Sequence, residues 1–242
     1  MIDRIESTPE PGSFDLSEYD FLDFGCSGGG SMAFARDHFS AKRGLGLDID
    51  QNKIAATKAA GFEAAYADLS VPIEYLGKSR FAIMSHFLEH VPSPDIAGKI
   101  IETACLASTD FVFIRLPWFD SDGPLAQMKL KCFWSDWGGH TNHMTSAELY
   151  LILLRLRQRG LVYGFRIFGH VPVANANADC LIPLDAPVNQ HHHNESLHGP
   201  KGAGALPFPC FRELIAMVAI SENTDPDPPS ILAKRQLLLQ SN

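Results

Sequence analysis

Along the first half of the chain, short apolar runs alternate with segments that suit helices. Runs at 19–24, 44–49, 63–67, 81–85 and 110–116 predict five strands. The segments 31–39, 51–60 and 93–107 predict the helices between them. Gly61 supplies a stop signal after the second, and Ser93-Pro94-Asp95 opens the third with a cap, a first-turn proline and an acid. Strands and helices alternating at this pace predict an α/β fold, a doubly wound parallel sheet with helices on both faces. In such sheets ligands bind beyond the carboxyl ends of the strands, so the chemistry is expected in the loops that follow strands.

The beat breaks after Leu116. Residues 117–144 hold Trp118, Trp134, Trp137, His140 and His143 among glycines and acids. Thr145-Ser146-Ala147-Glu148 then fits a capping box, opening an apolar helix that ends in Arg155, Arg157, Arg159 and Gly160. A sixth strand is expected at 161–168 and a last one at 211–220, with a loop-rich stretch at 170–209 between them. The expected organisation is a polar lead-in at 1–18 and one domain at 19–220. Insertions at 117–144 and 170–209 are expected to roof its pocket, and 221–242 to form a surface tail.

Composition narrows the function. The chain has 242 residues, 45% hydrophobic and 20% charged, enough apolar material for a core without staples. Its net charge of −8 opposes a phosphate backbone, so no nucleic-acid partner is expected. Basic groups that stand close together include Lys129 with Lys131 and the three arginines. Five cysteines without a C-x-x-C pair suggest neither a disulfide framework nor a cysteine zinc site. The first residues carry acids and no apolar run, and 214–220 is too short to span a bilayer. A cytoplasmic address is expected.

The candidate chemistry starts at Asp23-Phe24-Gly25-Cys26-Ser27-Gly28-Gly29-Gly30, where the first strand meets a helix. Glycine there permits a tight turn and close approach of a ligand to the main chain. A nicotinamide-type frame, Gly28-x-Gly30-x-x-Ala33, starts three residues too far from the strand end. A frame with an acid two residues before the first glycine fits better. Asp23-x-Gly25-x-Ser27-x-Gly29 resembles the acid-x-Gly-x-Gly-x-Gly motif of class I S-adenosylmethionine-dependent methyltransferases, with serine at the middle glycine.

Three further segments extend the resemblance over about residues 19–92. Gly44 to Asp50 resembles the second strand, whose terminal acid holds the ribose hydroxyls; Asp48 lies 23 positions after Gly25. Ala67-Asp68-Leu69 resembles the acid that contacts the adenine amino group. Phe81 to Val91, with Leu88-Glu89-His90-Val91, resembles the fourth strand and its loop, although Ala82 stands where the family usually has an acid. The resemblance implies a Rossmann-like, mostly parallel seven-stranded sheet with an antiparallel last strand. It implies S-adenosyl-L-methionine as cofactor, bound by Asp23, Gly25, Cys26, Ser27, Gly29, Asp48, Ile49, Asp68, Leu69 and His86. Carboxylates are suitable acceptors for its ammonium, ribose diol and adenine amino group. Two other readings stay open: a nicotinamide-dependent oxidoreductase, and a cofactor-binding partner protein without catalysis.

The acceptor is expected to be a small molecule or glycan, methylated on oxygen. The Asp/Asn-Pro-Pro-aromatic pattern of enzymes that methylate base amino groups is absent; Ser85-His86-Phe87-Leu88 stands in its place. The three tryptophans offer a face for a ring or sugar, or a place in the core. A base with a pKa near working pH favours histidine. His140 and His143, just before the capped helix, are the candidates; the alternative is that they pack against the tryptophans. His140-x-x-His143 offers two ligands, too few for a zinc site, so no metal is expected.

Overall fold

The computed structural model describes residues 14–225, 227, 229 and 232–241. Eight strands form one sheet: β1 (Phe21–Phe24), β2 (Gly44–Asp48), β3 (Glu63–Tyr66), β4 (Ser79–Ser85), β5 (Ser108–Pro117), β6 (Gly164–Pro172), β7 (Phe211–Ala219) and β8 (Arg235–Gln240). Their order is β8-β6-β7-β5-β4-β1-β2-β3. The five strands from β3 to β5 are mutually parallel, and β7 lies antiparallel between β5 and β6. The four longer helices are α1 (Gly30–His38), α2 (Gln51–Ala59), α3 (Pro94–Leu106) and α4 (Ser146–Gln158). The mostly parallel α/β fold with an antiparallel closing strand is the one expected from the sequence.

Strand parity sorts the core. Phe21, Phe81, Ile83, Phe111, Phe113, Ile215 and Met217 pack with Met32 and Ala35 of α1 and Ile54 of α2. Their neighbours Leu22, Ala82, Met84, Val112, Ile114 and Leu214 pack with Ile100 and Ile101 of α3 and Leu149 and Leu153 of α4. Successive side chains of a strand point to opposite faces, so a strand covered on both sides must be apolar at nearly every position. On the α1 face the phenylalanines form a ladder, Phe21 against Phe81 at 5.2 Å and Phe81 against Phe111 at 4.6 Å between ring centres.

Two differences from the sequence reading have local causes. The sixth strand begins at Gly164 because 160–161 is spent on closing α4. Gly160 (φ +74°) donates to the Arg157 carbonyl and Leu161 to that of Leu156, a Schellman closure. The presumed tail contributes β8, which pairs antiparallel with β6. Of the lead-in, 1–13 lie outside the described residues. Phe14–Asp15 forms a two-residue strand with Tyr75–Leu76, and Leu16 is buried.

The two insertions pair with each other. Leu130–Cys132 runs antiparallel to Leu181–Pro183. Between them Lys131 is buried, 2.5 Å from Asp136 and 2.5 Å from the Ala186 carbonyl. Lys131 is therefore no part of a basic surface patch, and Arg159 is paired with Glu102 at 2.5 Å. Trp118 and Trp134 are buried, their indole N–H groups donating to Ser121 Oγ (2.7 Å) and the Trp118 carbonyl (2.8 Å).

One polar side chain interrupts β1. Asp23 is fully buried, accepts a hydrogen bond from Ser31 Oγ, and leaves Oδ1 without a partner. Burial, and secondarily the charge of Asp48, push its carboxyl up to about 7. The unfolded chain releases this proton near 3.8 and the folded chain near 7, so between the two the native state binds more protons. Stability on this account falls as pH rises through that window.

Two outcomes are expected. Asp23→Asn should flatten the decline in urea-unfolding midpoint from about pH 4 to about pH 7; an unchanged slope would remove Asp23 as its source. In the capping box, Thr145 N donates to Glu148 Oε2 at 2.8 Å and Glu148 N to Thr145 Oγ1 at 3.3 Å. Thr145→Ala should cost about 1 kcal/mol in the same measurement.

Candidate functional site

The loops after β1, β2, β3 and β4 enclose a cleft of about 380 Å³ at the carboxyl ends of the parallel strands. Its position follows from the turn after β1. The Gly25 and Cys26 amides both donate to the Leu47 carbonyl, at 2.8 and 3.1 Å, so the chain must bend at once. Gly25 has φ +80°, and a Cβ there would lie 2.3 Å from the Phe87 ring. Ser27, at the family's middle glycine, holds φ +48°, a left-handed conformation that costs an ordinary residue on the order of 1 kcal/mol. Its amide donates to Asp48 Oδ2 at 3.0 Å, and Thr57 Oγ1 holds its carbonyl at 2.7 Å.

Asp48 is fixed from both sides, because Oδ1 also accepts from the Asp50 amide at 3.0 Å. Asp68 Oδ1 accepts from Ser70 N (2.9 Å) and Ser70 Oγ (2.6 Å). Gly25, Ser27, Asp48, Ile49, Asp68, Leu69 and His86 all line this cleft, as do Phe87 and His90. A second hollow of about 360 Å³ shares Gly25, Ser27 and His86 with it and adds Cys26, Gly28, Ser31 and Arg115. Two members of the sequence set line neither hollow. Gly29 is the N-cap of α1, and Asp23 lies beneath the loop, where it orients Ser31.

Where the hollows meet lies a charged network that local sequence patterns barely signal. His86, with φ +53°, sets Nε2 3.2 Å from Glu213 Oε1 and Nδ1 3.5 Å from Glu89 Oε1. Arg115 lies 2.5 Å from Glu213 Oε1, and His170 Nδ1 2.7 Å from Glu213 Oε2. Burial pulls the His86 imidazole down, but its bonds to Glu213 and Glu89 more than offset this and raise it to about 9. Burial opposes ionisation of Glu213, yet His86 and Arg115 hold it well below the usual carboxylate range. The trace in the sequence was a charge within each of two largely apolar strands, Arg115 in β5 and Glu213 in β7.

The insertions reach the cleft at one point. No residue of 117–144 or 170–209 lines it, so they do not roof it as expected; His140 stands beside it instead, its ring 5.0 Å from that of His90. Burial pushes the His140 imidazole down, towards the neutral form. His143 stacks on Phe119 at 4.5 Å and sits 3.6 Å from Asp122, outside both hollows.

No protein-family model matches the chain, and no curated protein matches it in sequence. Its likeness is to solved structures. A methyltransferase dependent on S-adenosylmethionine from Archaeoglobus fulgidus is 16% identical, with 86% of this chain and 87% of that one covered and a TM-score of 0.51. Another from Methanosarcina mazei is 16% identical over 86% and 94% of the two chains, with a TM-score of 0.50. The YcgJ protein of Bacillus subtilis is 10% identical over 86% and 94%, with a TM-score of 0.54. In no described residue is there a helix long and apolar enough to cross a membrane. With its strand order, its glycine turn and these neighbours together, the chain has the Rossmann-like fold of the S-adenosylmethionine-dependent methyltransferases.

Proposed function

We propose that the protein transfers a methyl group from S-adenosylmethionine to an oxygen of a small-molecule or glycan acceptor. The observation that carries this reading is the convergence of Gly25, Ser27, Asp48 and Asp68 on one cleft at the carboxyl ends of β1 to β3. The donor and acceptor set fits the cofactor. Asp48, held by two backbone amides, presents a fixed charged acceptor to a ribose diol. Asp68 can accept from an adenine amino group. Ile49 is 57% exposed, an apolar wall that an adenine ring would cover. Ser31 in the second hollow, oriented by buried Asp23, offers a hydroxyl to the amino-acid end. The cofactor brings an electrophilic methyl group on a sulfonium leaving group.

The chain's own part is alignment and removal of the acceptor proton. Of the two histidines singled out in the sequence, His140 has the better position for that proton. Its Nδ1–H donates to the Trp134 carbonyl at 2.7 Å, which leaves Nε2 as the acceptor of the neutral ring, the form that burial favours. His86, raised to about 9 and engaged by Glu213 and Glu89, serves as a positive wall of the site.

Two measurements test the reading. S-adenosylmethionine should raise the melting temperature and a nicotinamide dinucleotide should not; the reverse would favour the oxidoreductase reading. Asp48→Asn should weaken cofactor binding about tenfold to a hundredfold in calorimetry, from the roughly 1.5–3 kcal/mol of a hydrogen bond to a charged group. Binding unchanged by that substitution would dissolve the proposed ribose contact. Labelled methyl transfer then separates a working enzyme from a binding partner protein.

A further inference from the structure

We infer that Glu89, His90 and His140 form a binding site for a divalent transition-metal ion of the zinc or manganese kind, at the edge of the cofactor cleft. No metal was expected from the sequence, where His140-x-x-His143 offers only two ligands, too few for a zinc site. His143 is instead occupied by Phe119 and Asp122, and Asp136 by Lys131. The fold brings His140 a different pair, from 50 residues upstream.

Three observations meet at this point. The first is proximity: one ligand atom from each of the three side chains lies within 4.8 Å of the others. Bonds of about 2.0–2.1 Å in a tetrahedral site set ligand atoms roughly 3.3 Å apart, which rotamer adjustment of the exposed His90 can approach. The second is the state of the rings. His90 Nδ1 is 2.9 Å from the Gly139 carbonyl and His140 Nδ1 is 2.7 Å from the Trp134 carbonyl. A carbonyl only accepts, so in both rings Nδ1 carries a hydrogen, and in the neutral form Nε2 is the nitrogen with the lone pair. Metal-binding histidines are oriented in this way, through the other nitrogen donating to a carbonyl or carboxylate.

The third is an unmet demand. Glu89 is 1% exposed, and its Oε2 has no hydrogen-bond partner. A buried carboxylate oxygen without a partner is costly, and a cation is one group that satisfies it. The scaffold is firm: the Thr141 and Asn142 amides donate to the Glu89 carbonyl at 2.9 and 3.1 Å. Thr141 Oγ1 holds the Val91 carbonyl at 2.8 Å and Asn142 Nδ2 that of Leu88 at 2.9 Å. The loop bearing His140 is thus tied to the turn bearing Glu89 and His90 by five hydrogen bonds, that of His90 to Gly139 included, so the backbone that carries the three side chains is set before any ion arrives. Two imidazoles and one carboxylate suit a borderline ion better than calcium or magnesium, and three protein ligands leave coordination positions open. His90 lines the cleft, so these positions adjoin the place proposed for the acceptor. To that extent the inference rests on the methyltransferase reading; with an ion bound, His140 is a ligand rather than the proton acceptor.

The test is binding, read apart from activity. The full chain is stripped with a chelator, checked for its native circular dichroism, and titrated calorimetrically with Zn²⁺ and Mn²⁺, with Mg²⁺ for comparison. One Zn²⁺ or Mn²⁺ per chain is expected, with affinity falling at least tenfold in His90→Ala and His140→Ala. Glu89→Gln should do the same, and because Glu89 is buried, the two histidine variants carry the test if that one fails to fold. Absence of a stoichiometric ion, tighter binding of Mg²⁺, or binding that survives both histidine substitutions overturns the site. S-adenosylmethionine is titrated into the same samples. Cofactor binding without metal binding sinks this inference alone, and metal binding without cofactor binding sinks the methyltransferase reading alone.

Discussion

The arrangement of the site depends on a backbone constraint at the end of β1. Gly25 and Ser27 both take positive φ, and the chain between them is fastened to β2 through the Leu47 carbonyl and the Asp48 carboxylate. Each bond restricts the other. The bend brings the Ser27 amide over Asp48, and the carboxylate in turn stabilises a conformation that serine would otherwise avoid. Because Asp48 is also fixed by the Asp50 amide, the turn, the acid and the start of α2 behave as one unit. A ligand meeting that unit finds its hydrogen-bonding groups already ordered, which lowers the entropy lost on binding.

The sheet was legible in the sequence because its strands are covered on both faces. Such strands read as continuous apolar runs, and the parity of Phe21 and Leu22, or Phe111 and Val112, only decides which helices they meet. Much of the cleft's lining was legible too, since loops after parallel strands converge by topology and the resemblance pointed to Asp48, Ile49, Asp68, Leu69 and His86 within those loops. What escaped was set by contacts remote in sequence. Glu213 reaches His86 and Arg115 through antiparallel pairing of β7 with β5, across a loop-rich stretch with no periodicity. His90 and His140 meet because Thr141 and Asn142 bind the 88–91 turn, which no local pattern encodes. β8 was hidden by the prolines that precede it and by its weakly alternating Arg235–Gln240.

The electrostatics of the site contrast with those of the whole chain. A net charge of −8 belongs to the molecule, yet the meeting point of the two hollows carries Arg115 and a histidine raised to about 9, balanced by partly buried Glu213 and buried Glu89. Charges of both signs held close together in a partly dry place orient polar groups without leaving a large net field. The same place receives the loop with His140, so acid–base groups from five separate segments of the chain, the β4 turn, β5, β6, β7 and the first insertion, share one small region.

β8 has a bearing on how the protein keeps to itself. Without it β6 would be the rim of the sheet, a nine-residue strand that is mostly buried and has unused amide and carbonyl groups. Such a rim is a template on which another chain can add a strand. Arg235–Gln240 occupies that template, and the border it presents is shorter, bears Arg235 at its start, and breaks register between Leu237 and Leu239. Arg235–Gln240 therefore satisfies the backbone of β6 and leaves the sheet a shorter, irregular rim, a form of edge less suited to strand addition.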